Sequence, residues 1–238
     1  MSPLVSRSWS LIDFVLIWFG GLLGSAAVFA TNVALDDERS TILLGLIGQY
    51  AGSLLVFWLL SRRKGQPDIG LQVKGGDFVY LGLGLIFQIG VALLLLPLAT
   101  RLFPDGRPRQ LIAEQMAEAD TMVLQVGFVV SALVMGPVVE ELTYRGVLLR
   151  SLSRLGQWPA VILSSIVFMA IHIPGLSPSA MLESAVLILP PLFVLAVILA
   201  RLTQRTGRLG PAIFVHSGWN LLAALVFLLP EDLIDQVG

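Results

Sequence analysis

Seven runs of almost unbroken apolar residues, roughly 11–32, 41–61, 78–99, 122–149, 158–173, 181–203 and 209–229, limit what this chain can fold into. About 20 apolar residues is the length that crosses ~30 Å of hydrocarbon as an α-helix. Inside lipid every backbone N–H and C=O must be paired internally, which leaves only helices and closed barrels as spanning structures. Runs this long select the helix. The sequence therefore predicts an all-α, polytopic transmembrane helical bundle of about seven spans. Hydrophobic residues make up 56% of the chain and charged residues 13%, and the mean hydropathy is +0.86. That leaves too little polar surface for a soluble domain.

The runs follow one another without a polar insertion large enough to fold alone, so residues 1–238 read as a single integral membrane domain. The first apolar run is longer than the ~7–15-residue core of a signal peptide and is read as a retained span. A net charge of −1 argues against a nucleic-acid partner. The absence of cysteine excludes disulfides, thiolate catalysis and cysteine-based metal sites. The expected surroundings are a lipid bilayer. Nothing in the sequence sets the oligomeric state.

Orientation follows from the basic residues. With the N-terminus inside, the cytoplasmic segments hold Arg7, Arg62, Arg63, Lys64, Lys74, Arg145, Arg150, Arg154, Arg201, Arg205 and Arg208, which is 11 of the 15. The outer segments hold Arg39, Arg101, Arg107 and Arg109, and the acidic tail EDLIDQVG lies outside. The fourth run is long enough to tilt or project beyond the bilayer. Pro174-Gly175 ends the short fifth run, and Pro190-Pro191 should kink or break the sixth. The connection 100–121 carries Leu111, Ile112 and Met116 at helical spacing, suited to an interfacial helix or to an ordinary connecting one. Gln49, Gln88 and Gln125 read as interhelical hydrogen-bonding groups, and Glu183 as a structural acid at the outer end of the sixth run.

Charge at bilayer depth costs at least ~2.5–3.5 kcal/mol. The intramembrane ionisable residues are accordingly few, and they fall in three groups on three runs. The first is Glu140-Glu141-Leu142-Thr143-Tyr144-Arg145, one turn after Gly136-Pro137, a pair expected to bend its helix. Glu141 and Arg145 have the i,i+4 spacing and order that favour a helical ion pair. Glu140 lies ~100° round the helix, next to Tyr144, and is left to face something else. The second group is Phe168 with His172, four residues apart on one face, and the third is His216 with Asn220, again four apart. His172 and His216 are the only histidines. Taken singly, an acid near a span end is often just paired with arginine, and a lone membrane histidine usually packs between helices. Both histidines sharing a bundle with an acidic pair points instead to one buried polar cavity.

Hydrolysis is the chemistry that needs such a set. A carboxylate among apolar groups can act as general base near neutral pH. Glu140 with His172 would hold and activate a water, while His216 and Asn220 would donate to the oxyanion of a tetrahedral intermediate. Alternatively Glu140, His172 and His216 would be three zinc ligands with an open water position. Zinc and a metal-free mechanism are both open from these residues, although asparagine is a poor zinc ligand. Ser217 is less suited to act as a nucleophile, because its neighbour His216 points away from it on a helix.

These motifs resemble the CPBP family of intramembrane proteases, also called the CAAX prenyl-protease or Abi family. Its pattern is EExxxR, FxxxH, then HxxxN or HxxxD, on successive transmembrane helices. Here the three are EELTYR (140–145), FMAIH (168–172) and HSGWN (216–220). The resemblance covers roughly 120–229, a protease core that leaves 1–119 as N-terminal spans and an interfacial loop. It implies Glu140 as general base, His172 as its water-orienting partner and His216 with Asn220 at the oxyanion. Glu141, Arg145 and Phe168 would support the site. The implied substrate is a membrane-anchored protein or peptide, and the implied location is the cytoplasmic membrane of a prokaryote. A non-catalytic immunity or scaffolding protein of the same fold is the alternative. A small proton-coupled transporter fits less well, because the Pro-Pro break has no counterpart in the N-terminal half.

Overall fold

The computed structural model describes residues 9–31, 38–103 and 119–228. The proposed interfacial helix around 111–116 and the acidic C-terminal tail lie outside them. The long elements are α1 (Leu11–Ala30), α2 (Glu38–Arg63), α3 (Val79–Leu102), α4 (Met122–Leu155), α5 (Gln157–Ala170), α6 (Met181–Thr206) and α7 (Gly210–Leu228). Six of the seven are long and apolar enough to cross a membrane; α7 carries the HSGWN turn and packs against α3, α4 and α6.

Ser10 starts α1. Its hydroxyl accepts from the Asp13 N–H, and the Asp13 carboxylate accepts from the Ser10 N–H at 2.7 Å. This reciprocal pairing satisfies donors that a helix start leaves open. Asp13 also meets Lys64 Nζ at 3.1 Å, and Trp9 stacks on Phe57 at 5.3 Å, so the start of α1 is tied to the end of α2. Along the two helices Gly20 faces Gly52 and Gly24 faces Gly48, and a methyl at Gly24 or Gly52 would overlap a carbonyl oxygen of the other helix. Lipid offers no hydrophobic drive for helices to associate, so close backbone packing at small residues takes over. The α3–α7 contact works the same way: Gly84 lies on the Val215 carbonyl and Gly218 on the Leu81 carbonyl.

Helix α4 is the centre of the bundle. Every residue from Glu141 to Leu152 is buried, and Tyr144, Val147, Leu148 and Leu149 pack with Ala160, Phe168, Ala196, Ala200 and Leu209. Gly136-Pro137 lies between two stretches of altered winding. The helix runs on, wound as wider π-turns at Ser131–Met135 and Glu141–Leu148. Helix α6 corrects the expected break: it continues through Pro190-Pro191. Two prolines remove only two N–H donors, and Leu187, Leu192 and Leu195 hold that stretch in the interior.

The basic ends gather on one side. Arg150 Nη2 donates to the Ile69 carbonyl at 2.8 Å and also reaches the Gly207 carbonyl. Arg208 binds Asp77 through two nitrogens at 2.8 and 3.0 Å. That carboxylate holds the Arg208 guanidinium above its ordinary pKa. Gln204 Nε2 donates to the Gln157 carbonyl at 3.1 Å. These contacts join the end of α4, the 64–78 connection, the start of α5 and the α6–α7 turn, so the helices alternate up and down. At the same end Trp58 carries Arg62 over its ring at 4.7 Å, and Trp158 carries Arg201 at 4.5 Å. Exposed aromatics paired with arginine suit the membrane–water interface.

Close packing at glycine makes a sharp prediction. Gly52→Ala should cost roughly 1–3 kcal/mol of stability by overpacking. Gly90→Ala should cost little, because no atom lies within 4 Å of the added methyl. Thermal unfolding of the two variants in one detergent checks the contrast, and equal midpoints would refute it.

Candidate active site

The π-wound turn beginning at Glu141 carries the acidic pair into the bundle. A π-turn is wider than an α-turn and is commonly found at functional sites. Within it Arg145 Nη1 lies 3.1 Å from Glu141 Oε1, both side chains being almost wholly buried, which is the expected i,i+4 pair. Arg145 Nη2 also donates to the Ala196 carbonyl of α6 at 3.3 Å. Its guanidinium sits 4.3 Å from the centre of the Phe168 ring. Phe168 is fully buried and is the aromatic centre of the site. It contacts Tyr144 at 5.2 Å, His172 at 4.9 Å and His216 at 5.8 Å between ring centres.

His216 of α7 reaches both glutamates. Its Nδ1 is 3.0 Å from Glu141 Oε1, and its Nε2 is 3.8 Å from Glu140 Oε2. An ionised carboxylate only accepts, so Nδ1 carries the hydrogen and Nε2 is turned towards Glu140. His172 stands just past the end of α5, where its Nδ1 donates to the Phe168 carbonyl at 2.8 Å. A carbonyl also only accepts, so the Nε2 of His172 keeps its lone pair.

Asn220 has a partner that helical spacing does not reveal. Its Nδ2 donates to the Ala132 carbonyl of α4 at 2.8 Å. In the first π-stretch the Gly136 N–H donates to the Ser131 carbonyl, five residues back. The next donor in that ladder would be residue 137, and Pro137 has no N–H. The Ala132 carbonyl is thereby left open inside the bundle, and the Asn220 amide closes it, leaving one amide hydrogen over.

Among the described residues Glu140 makes no hydrogen bond, and it meets His216 Nε2 only at 3.8 Å. Its side chain is 24% exposed, yet Oε2 is buried and makes no hydrogen bond. It borders a cavity of ≈ 50 Å³. A water needs roughly 10–15 Å³ by such a measure, so the space suits a few waters. The far wall comes from the N-terminal spans, with Trp18 of α1 and Gln49, Tyr50 and Ser53 of α2. Gln49 therefore faces the cavity, and Gln125 bonds the Ala119 carbonyl of its own segment; neither is simply interhelical glue. Three polar side chains on one turn of an otherwise apolar span were the available sign that α2 borders a polar site.

Residues 122–222 match the family model described as Rce1-like, type II CAAX prenyl endopeptidase Rce1-like. No curated protein and no solved structure matches the chain. The Rce1-like match agrees with the family resemblance of the three motifs and supports a membrane protease of the CAAX kind. It holds all seven motif residues and stops short of α1, α2 and α3, so four of the nine residues on the cavity wall lie outside it.

The proposed zinc ligands do not fit as placed. Among the described residues no group of three histidine or acidic side chains is arranged to hold a metal. Glu141, the acid nearest His216, is already taken by Arg145.

The two glutamates should differ in stability. Arg145→Met leaves Glu141 buried and short of its cation, and breaking a buried pair costs roughly 3–5 kcal/mol. Glu140→Gln breaks no pair of hydrogen-bonding length. Unfolding midpoints should fall steeply for Arg145→Met and hardly move for Glu140→Gln; the reverse order would refute the assignment of partners.

Proposed function

We propose that the protein is an intramembrane endopeptidase that hydrolyses peptide bonds of membrane-associated proteins or peptides. In this reading Glu140 and His172 activate the water, and His216 and Asn220 stabilise the oxyanion. The observation that carries it is the inequality of the two acids. Glu141 Oε1 is held by Arg145 and His216 and the residue stays off the cavity, whereas Glu140 has no partner of hydrogen-bonding length among the described residues and borders a water-sized cavity; each acid keeps its Oε2 without a hydrogen bond.

Of the four proposed catalytic residues only Glu140 is on the wall of that cavity; His172, His216 and Asn220 lie off it. A water between Glu140 and His172 gives one proton to Glu140, and the free Nε2 of His172 is suited to accept its other hydrogen in a hydrogen bond. The oxygen attacks the scissile carbonyl carbon. The carbonyl oxygen becomes the oxyanion, and donors already in place when charge develops there supply the largest catalytic term. The second amide hydrogen of Asn220 is free for this. For His216 to donate from Nε2 it must hold a proton there as well as on Nδ1, and Glu141 at 3.0 Å is the counter-charge. As the C–N bond breaks, Glu140 returns its proton to the leaving amine, so the acid is regenerated as base.

The Rce1-like match makes a prenylated CAAX-type peptide the first substrate to test, beside unprenylated membrane-anchored peptides. Among the described residues Arg62, Arg63, Lys64, Lys74, Arg154 and Arg205 stand at or near the end where Arg150, Arg201 and Arg208 gather. The positive-inside rule turns that end, with the N-terminus, to the cytoplasm.

Purified protein in detergent should cleave at least one such peptide. Glu140→Gln and His172→Ala should each lower kcat by roughly 10²-fold or more, the scale of general acid–base catalysis. Cleavage unchanged in both variants would overturn the site. A chelator arm tests the mechanism: activity lost with chelator and restored by zinc would replace the metal-free route with a metal-bound one.

A further inference from the structure

Helix α2 lies outside the Rce1-like segment, and neither the three motifs nor the mechanism uses it. Its sequence is apolar from Thr41 to Leu60 except for a few small or polar residues, and three of these, Gln49, Tyr50 and Ser53, line the Glu140 cavity. Residues three and four apart share a helix face, so Ser53 sits one turn from both Gln49 and Tyr50 on the same wall. Uncompensated polar groups in a span are costly, and such residues typically line a site or a water-filled space.

Tyr50 reaches the helix of the acid pair. It is 8% exposed. A Cβ added at Gly136 would lie 3.0 Å from the Tyr50 hydroxyl and 3.7 Å from Glu140 Oε1. The hydroxyl and that carboxylate oxygen thus flank one point on the α4 backbone. Glycine at 136 is what lets the phenol come so close. The other oxygen, Oε2, is turned to His216. Depth agrees as well. Tyr50 lies roughly 20 Å along α2 from Arg63, and Glu140 a similar distance along α4 from Leu155, at ~1.5 Å per residue.

We propose that the Tyr50 hydroxyl is a further catalytic group of the hydrolytic site, holding the nucleophilic water against Glu140 from the α2 side. This rests on the endopeptidase reading. A phenol both donates and accepts, so it can hold the water without changing the proton count. The water's transferred proton still goes to Glu140, its oxygen still forms the new C–O bond, and Tyr50 keeps its own hydrogen throughout. The first two spans are then more than a membrane anchor. The Gly20–Gly52 and Gly24–Gly48 contacts hold α1 on α2, and α2 delivers the hydroxyl to the cavity.

The test is steady-state cleavage of a membrane-anchored peptide by wild type, Tyr50→Phe and Glu140→Gln. Tyr50→Phe keeps the ring and removes only the hydroxyl. Its kcat should fall about tenfold or more with KM within about twofold of wild type, the signature of an interaction made in the transition state. An inactive Glu140→Gln beside a Tyr50→Phe with kcat within about twofold of wild type overturns the role of Tyr50 and leaves the endopeptidase reading standing. A fully active Glu140→Gln overturns both. Should Tyr50→Phe fail to fold, an experimental structure of the wild-type protein that shows ordered water decides the matter. A water bonded to both the Glu140 carboxylate and the Tyr50 hydroxyl supports the assignment, and a cavity whose waters touch only one of them refutes it.

Discussion

The interior of this bundle depends on one buried pair. Glu141 and Arg145 stand 3.1 Å apart with almost no exposure, in a membrane where neither charge is tolerable alone. The pair makes the rest of the site affordable. Arg145 reaches across to α6 through the Ala196 carbonyl and lies over the Phe168 ring of α5. Glu141 receives the Nδ1–H of His216 from α7. One ion pair thus meets three other helices, and the orientations of His216 and Phe168 follow from it. His216 is fixed with Nε2 towards Glu140, and Phe168 is fixed beneath both histidines.

The winding of α4 is the second constraint. Pro137 interrupts the hydrogen-bond ladder, and the turns on either side of Gly136-Pro137 are wound wider. A widened turn leaves carbonyls over, and the one at Ala132 is met by Asn220. The asparagine of the HSGWN turn thereby locks α7 to α4 at a defined height, which also sets the height of His216. A residue placed for chemistry and a residue placed for assembly are here the same side chain.

The N-terminal hairpin shows how a segment with no chemical motif can still belong to a site. Its helices meet through glycine backbones, a geometry that brings α2 close to α1 and leaves the Tyr50 face free for α4. Tyr144 joins the two halves, packing on Phe14 of α1 at 5.5 Å and on Phe168 at 5.2 Å.

Much of this was legible in the chain itself. The apolar runs determined the helical class and the approximate span count, because lipid demands paired backbone over a set length. The spacing of Glu141 and Arg145 determined their pairing, because both lie on one helix. The scarcity of ionisable residues singled out Glu140, His172 and His216 as candidates, and the four-residue spacing from His216 added Asn220. Only the tertiary structure decided which glutamate His216 binds, that Asn220 closes the Ala132 carbonyl, that α6 runs unbroken through its two prolines, and that α2 walls the cavity. Those outcomes depend on how helices are rotated and slid against one another. Backbone contacts at glycine and a proline-widened turn set that register, and hydropathy and spacing within a single helix carry no information about it.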